Sequence, residues 1–395
     1  MKVYIYNCSN TFNYGSMMMG ENFISYFNEI TKSKNTYYVE TENEINVLRL
    51  REASGIEEII KVNLGSLFTE NIRKINYFLA YINNKRIYTE LANEIDLVVV
   101  LGGDDFTEDY GWKGPVINAL KFNLLRKNGL KVIMLGQTMG PFLSFRKLLM
   151  KHLLSGVDKI YPRDLITYKY LCNNLGLKNI EITDDLALLP LNKQELKPKS
   201  KEYITYCPSE LIYRYSKEGA RREWVEYNLF MIDTIITMYP EKKIVLLAHV
   251  LVPVEADDRI IAKEIYDLIK DKYKDRVILE ISEMFPYEVR NYIQQSYFTI
   301  SSRMHPAVSS IQSEIPVITL SYSSKYWGII GERYGLSQYI IDVRQLDYSE
   351  MRLSFIDIVK KIELNYKKIQ EQMSKNNKQA INSIYKTLNE IAKLK

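Results

Sequence analysis

The sequence has 395 residues and no apolar run near the roughly 20 residues that a membrane-spanning helix needs. The longest candidate, Ile244 to Val254, is too short and contains His249. Cysteine is scarce: Cys8, Cys172 and Cys207 lie far apart, with no CxxC pair. That argues against a disulfide framework and a structural zinc site, and it fits a reducing cytoplasm. The opening residues, MKVYIYNCSN, read as a strand rather than as the apolar core of a signal peptide. Only three histidines occur, and neither HxH nor HExxH is present, so no bound metal is expected. GxGxxG and GxxxxGK[ST] are also missing, which disfavours a standard dinucleotide fold and a P-loop kinase. An excess of one charge is nearly absent too. The net charge is +5, but residues 359–395 carry nine Lys and three Glu, a balance of +6, and leave the rest at −1. A general nucleic-acid-binding surface is therefore not supported, and no nucleic-acid partner is expected.

What is present is an ordinary globular composition, 46% hydrophobic and 26% charged, long enough for two or three domains. The 31 tyrosines accompany many Asn, Lys and Ile, a bias that AT-rich coding explains better than sugar stacking. Short apolar runs alternate with helical stretches. Lys2 to Tyr6 reads as a strand, Asn7 to Ser16 as a polar loop, and Met17 to Ile30 as a helix. Asp96 to Leu101 is a β-branched run ending at Gly102-Gly103, the pattern of a buried parallel strand. Residues 40–90 read only as helices and connections. Pro190 to Lys201, with two Pro and four Lys, loses the apolar period and reads as a linker. The alternation then restarts at Tyr203. The expected architecture is α/β: two Rossmann-like domains, 1–190 and 202–345, facing each other across a cleft, with a C-terminal helical segment at 350–395. That segment has an apolar stripe at Ile362, Tyr366, Ile369, Met373, Ile384, Leu388 and Ile391.

In open α/β sheets ligands bind beyond the carboxyl ends of the strands, so the residues that follow each strand are the informative ones. They include Asn13, Gly102-Gly103-Asp104-Asp105, Gln137, Arg163-Asp164, Asp184-Asp185, His249, Ser302-Arg303-Met304-His305 and Lys325. Arg163, Arg303 and Lys325 are candidates for binding an anion: an Arg fork matches a carboxylate or phosphate, and Lys acts as a point charge. Ser302 and Arg303 precede an expected helix whose free N–H groups would add to that site. A surface ion pair is the commoner fate of a lone Arg, but Arg303 beside His305 at a strand-to-helix switch favours function. His249 reads equally well as a core imidazole. Asp257-Asp258 reads as a helix cap.

Together, Gly102-Gly103-Asp104, Leu135-Gly136-Gln137-Thr138-Met139-Gly140-Pro141-Phe142, Arg163-Asp164, Asp185-Leu186-Ala187 and the block Ser301 to Leu336 resemble the polysaccharide pyruvyl transferase family. Met304 stands where the family usually has Leu, Thr138 where it has Ser, and Leu186 where it has Pro. Tyr334-Gly335-Leu336 varies an LGL-like end. The resemblance implies a GT-B-like fold, phosphoenolpyruvate as co-substrate with no other cofactor, and a pyruvate ketal formed on a saccharide. Under it, His305, Arg303 and Arg163 are the catalytic candidates. Arg163, Arg303, Lys325, His249 and Ser302 would hold the donor, and Asp104, Gln137 and Asn13 would meet the acceptor. A cytoplasmic enzyme is expected, with the Lys-rich face of the last helix able to approach an anionic membrane that carries a lipid-linked acceptor.

Two other readings remain at this stage. One is a nucleotide-sugar glycosyltransferase of the same fold, in which Glu280 and Glu288, eight apart, would bind the donor. They flank a different strand from the Arg303–His305 block. The other is a non-catalytic glycan- or anion-binding protein.

Overall fold

The computed structural model describes residues 1–62, 91–109, 111–195 and 201–394. It divides into two compact units. Unit 1 comprises Met1–Thr11, Met19–Leu186 and Ala380–Lys395; unit 2 comprises Phe12–Met18 and Ala187–Gln379.

Unit 1 holds a six-stranded sheet: β1 (Lys2–Tyr6), β2 (Thr36–Glu40), β3 (Ile59–Val62), β4 (Leu97–Leu101), β5 (Val132–Gln137) and β6 (Lys159–Pro162). Its order is β3-β2-β1-β4-β5-β6 and every neighbouring pair is parallel. Strand β4, LVVVL, is fully buried along its length, because helices cover both faces of a parallel sheet. Unit 2 repeats the plan with β7 (Tyr203–Cys207), β8 (Lys243–Leu247), β9 (Val277–Glu280), β10 (Ser296–Ser301), β11 (Val317–Ser321) and β12 (Ile340–Asp342). The order is β12-β11-β10-β7-β8-β9, again all parallel. Numbered within each unit, both sheets run 3-2-1-4-5-6, the doubly wound order of a Rossmann-like domain. The order reverses between β1 and β4 in unit 1 and between β7 and β10 in unit 2.

Most expected elements are present with ends shifted by one to three residues. Several expectations change. The first helix begins at Tyr14, so Tyr14, Gly15 and Ser16 are helical rather than part of a loop. Within the stretch read as helices and connections, Glu44–Ser54 is a helix, capped by the Asn43 side chain, and Ile59–Val62 is a strand. The remainder of that stretch, 63–90, lies outside the described residues, as do residues 196–200 of the expected linker. The helix that begins at Leu165 changes from α to π geometry at Tyr170.

The final helix runs from Tyr348 to Ala392 and gives residues to both units. Its stripe is buried as expected at Ile362, Ile369, Met373, Ile384, Leu388 and Ile391. In unit 2, Tyr366 stacks on Tyr297 with ring centroids 4.8 Å apart, and the Asn377 amide donates to the Ile311 carbonyl at 2.9 Å. In unit 1, Tyr385 meets Tyr26 edge-on and Lys386 pairs with Glu181 at 2.8 Å. Among the described residues no helix is long and apolar enough to cross a membrane.

Candidate active site

The residues beyond β10 are placed by local hydrogen bonds. The Ser302 N–H donates to the Cys207 carbonyl at 3.0 Å, which ties the end of β10 to the end of β7. The Ser301 hydroxyl donates to the Arg303 carbonyl and accepts from the Arg303 N–H, folding the chain into the helix Met304–Gln312. No side chain caps that helix start, so its first N–H groups point outward from the reversal point of the unit 2 sheet.

Arg303 is 8% exposed and held on one edge. Its Nε lies 3.1 Å from both oxygens of Asp258, and its Nη2 donates to Asp258 Oδ1 and to the Ala256 carbonyl, each at 2.7 Å. Asp258 is fully buried and also accepts the Val250 N–H at 3.0 Å. Burial alone would pull the Arg303 pKa down, but the Asp258 carboxylate outweighs it and the net shift is upward. Arg303 is a fixed cation whose Nη1 edge makes no hydrogen bond among the described residues.

His305, two residues on, is half-buried beside Gly15. A Cβ at Gly15 would sit 2.0 Å from His305 Nδ1, so glycine is what lets the imidazole lie against the first helix. His249, beyond β8, is 1% exposed. Its Nε2 has no hydrogen-bond partner among the described residues, and its ring meets Tyr14 edge-on at 5.5 Å. Burial, then the charges of His305, Arg303 and Arg290, hold its pKa well below the ordinary value of 6.5. His249 is therefore neutral at neutral pH. Asn13 pairs with Val250 through an isolated bridge, and its Oδ1 accepts from Ser16 N at 3.5 Å. Lys325, beyond β11, is 9% exposed, with Nζ 5.3 Å from the Tyr322 ring centre and 5.7 Å from that of Tyr326. The Tyr326 hydroxyl in turn reaches the Ser302 carbonyl at 3.5 Å. In unit 2, His249, Ser302, Arg303, His305 and Lys325 thus follow the carboxyl ends of β8, β10 and β11, and Asn13 bridges to Val250 beside His249.

The unit 1 candidates behave differently. Gln137 is fully buried, and its amide nitrogen donates to the carbonyls of Val100 at 3.0 Å and Leu101 at 2.9 Å. It braces the Gly102 turn, where a Cβ would fall 2.0 Å from the Gly136 carbonyl oxygen. Arg163 is 2% exposed. Its Nη1 pairs with Asp185 at 2.7 Å and its Nε donates to Thr138 at 3.0 Å. Thr138 donates on to Asp164 at 3.1 Å, and Asp164 caps the next helix through Thr167 N at 2.8 Å. Arg163 thus forms a buried brace that joins the Gln137-Thr138 loop to Asp185. Asp104 lines an open cavity of about 480 Å³ at the unit 1 reversal point, together with Asp105, Trp112, Lys113 and Asn118.

Sequence reasoning did not foresee Asp258 as the Arg303 partner, nor Arg290. Asp257 is the helix cap, accepting from Arg259 N at 2.9 Å, while its neighbour Asp258 turns inward. Arg290 is fully buried and donates to the Leu189 carbonyl at 2.9 Å and to Gln194 at 3.0 Å. The glycosyltransferase pair is otherwise engaged. Glu288 accepts from the Phe285 N–H at 2.6 Å as a cap, and Glu280 accepts from the Tyr292 hydroxyl at 2.7 Å.

The same architecture recurs in solved structures. A UDP-GlcNAc 2-epimerase from Neisseria meningitidis, bound to UDP-GlcNAc, superposes with a TM-score of 0.58 at 12% identity, covering 98% of this chain and 100% of its own. A glycosyltransferase from Rickettsia africae gives 0.59 at 13% identity over 99% and 97%. At these identities the likeness shows the fold, which is GT-B-like. The amylovoran biosynthesis protein AmsJ of Erwinia amylovora is 23% identical over 333 residues, 79% of this chain and 74% of AmsJ. The polysaccharide pyruvyl transferase family matches residues 13–324, a span that includes the Arg163–Asp185 brace and the Arg303–His305 cluster alike, and the chain belongs to that family.

Proposed function

We propose that this transferase takes its pyruvyl group from phosphoenolpyruvate and forms a cyclic ketal on a saccharide of an extracellular polysaccharide. The observation that carries the donor reading is the pairing of Arg303 with His305 on either side of Met304 at an uncapped helix start. A donor with a carboxylate and a phosphate close together calls for clustered positive groups and free N–H donors. Arg303, Lys325 and the start of the helix Met304–Gln312 supply both.

In the proposed reaction His305 gives a proton to the donor methylene carbon, which becomes a methyl group and leaves C2 electrophilic. One saccharide hydroxyl adds to C2, the C2–O bond to phosphate breaks, and a second hydroxyl closes the ketal. Two hydroxyl protons are released: one restores His305 and the other leaves on phosphate. The neutral His249 lies behind this group without adding a positive charge that would compete with protonation of His305. The name of AmsJ, an amylovoran biosynthesis protein, supports a polysaccharide acceptor. The unit 1 cavity, with carboxylates at Asp104 and Asp105 and the half-exposed face of Trp112, has the chemistry to hold a sugar ring.

The test is phosphate release from phosphoenolpyruvate with a panel of galactoside, mannoside and N-acetylhexosaminide acceptors, with the product examined for a ketal. Turnover of a nucleotide sugar with phosphoenolpyruvate ignored would overturn the proposal.

A further inference from the structure

The helix Phe145–Ser155 is apolar on two faces. Met150, Leu153 and Leu154 are buried in the core of unit 1. The opposite face is bare: Leu148 is 72% exposed, Phe145 66%, and Leu143, in the turn before the helix, 56%. Phe145 and Leu148 are three residues apart and share one side of the helix. Trp112, 43% exposed, stands next to them. The Arg146 guanidinium lies 5.6 Å from the Trp112 ring centre and 5.9 Å from that of Phe145. Glu108 fixes the arrangement, accepting from Arg146 through two bonds of 2.7 Å and from the backbone of Leu143. Single exposed apolar side chains are ordinary, but four large ones gathered around one ion pair call for an occupant.

Charge identifies that occupant. Leu143 to Ser155 contains Arg146, Lys147 and Lys151 and no Asp or Glu. Lys113, next to Trp112, is exposed as well. Glu108 and Arg146 neutralise each other, and Asp105 and Asp109 are exposed acids on the adjoining turn, against the exposed or half-exposed Lys113, Lys147 and Lys151. The buried centres of protein–protein interfaces are depleted in Lys. Lys interleaved with protruding Phe, Leu and Trp is instead the composition of a segment that lies in a bilayer interface. We propose that this face of unit 1 docks on an anionic phospholipid bilayer, with Phe145, Leu148 and Leu143 among the headgroups and Lys147 and Lys151 against lipid phosphates. The inference is independent of the donor assignment.

The experiment is flotation of the full chain with vesicles of equal parts phosphatidylglycerol and phosphatidylcholine, compared with phosphatidylcholine alone. The wild type floats with the anionic vesicles at low salt and is released as salt rises. Phe145→Ser with Leu148→Ser, and separately Lys147→Glu with Lys151→Glu, each reduce binding on the order of tenfold or more. Their thermal midpoints and their phosphate release with a short water-soluble acceptor stay at wild-type values. Because the charge variant leaves every apolar group in place, it separates lost docking from lost folding. The proposal is overturned if the wild type does not float, or if both variants float like it. A dimer that Phe145→Ser dissolves would overturn it too, by making the face a contact between two copies of the chain.

Discussion

Arg303 holds Asp258 with two of its three nitrogens, Nε at 3.1 Å from both carboxylate oxygens and Nη2 at 2.7 Å from Oδ1. The pair joins the start of one helix to the end of β10, and it aims the third nitrogen of the guanidinium without help from a ligand. The cation is thus oriented before a donor arrives, so its rotamer entropy is not lost again on binding.

Replacing Asp258 with Asn should leave the guanidinium charged, buried and loosely held. Removing one partner of a buried pair costs about 3–5 kcal/mol, and the isosteric amide should recover part of that. The expected outcome is a lower thermal midpoint together with a donor KM raised on the order of tenfold. Arg303→Lys should also fail to bind the donor normally, since a point charge cannot both hold Asp258 and present a free edge. Calorimetric titration with phosphoenolpyruvate checks both variants.

Arg163 should behave as a stability residue. Its charge is cancelled by Asp185 at 2.7 Å, and both side chains are essentially without solvent access. Arg163→Ala should lower unfolding stability by about 3–5 kcal/mol, measured by denaturant titration. A stable Arg163→Ala protein with only a raised donor KM would return Arg163 to the donor site.

Gly15→Ala separates position from stability. Gly15 is the second residue of the first helix, where alanine gains less over glycine than the about 1 kcal/mol of a helix interior. Here the new methyl would meet the His305 ring at 2.0 Å, so the imidazole must move. The expected result is kcat reduced on the order of tenfold to a hundredfold, because a misplaced acid donates poorly. The circular-dichroism spectrum should remain that of the wild type.

His249 gives the fold a pH dependence of known sign. Its folded-state pKa lies well below the ordinary value of 6.5, because burial and nearby cations oppose the imidazolium. The unfolded chain therefore binds the proton more readily than the folded one. The contribution of His249 is fully present above about pH 6.5 and falls by up to roughly 1.4 kcal/mol per pH unit as the pH drops toward the folded pKa. Thermal midpoints at pH 7.5 and 5.5 should differ for the wild type, and by less for His249→Gln.

Much of this was legible in the sequence because buried parallel strands are continuous apolar runs. DLVVVL and KVIML could hardly be anything else. Strand β2, TYYVE, and β3, only four residues long, lack such runs, and their place in the sheet is set by their neighbours. The strand-end rule brought forward Asn13, His249, Ser302, Arg303, His305 and Lys325, all of which belong to unit 2. It does not reveal that Arg163 and Gln137 brace the fold from buried positions. Their partners, Asp185 and the β4 carbonyls, lie 22 to 37 residues away. Asp258 and Arg303 are 45 residues apart. No local pattern announces such pairs.

The last prediction concerns the proton. His305 stands two residues from Arg303 at a helix start. A bound dianionic donor beside it would favour the imidazolium. Protonation of the acid would then follow donor binding, and the free enzyme would not need a charged His305. His305→Gln, which keeps a hydrogen-bonding side chain of similar size, should lose turnover on the order of a hundredfold or more while donor affinity changes little. In the wild type the acidic and basic limbs of kcat/KM should report the free enzyme, and those of kcat the complex. The basic limb of kcat should therefore lie at higher pH than that of kcat/KM. Phosphate release measured from pH 5 to 9 tests this. Coincident limbs would show that the donor does not charge the histidine, and normal turnover by His305→Gln would remove it as the acid.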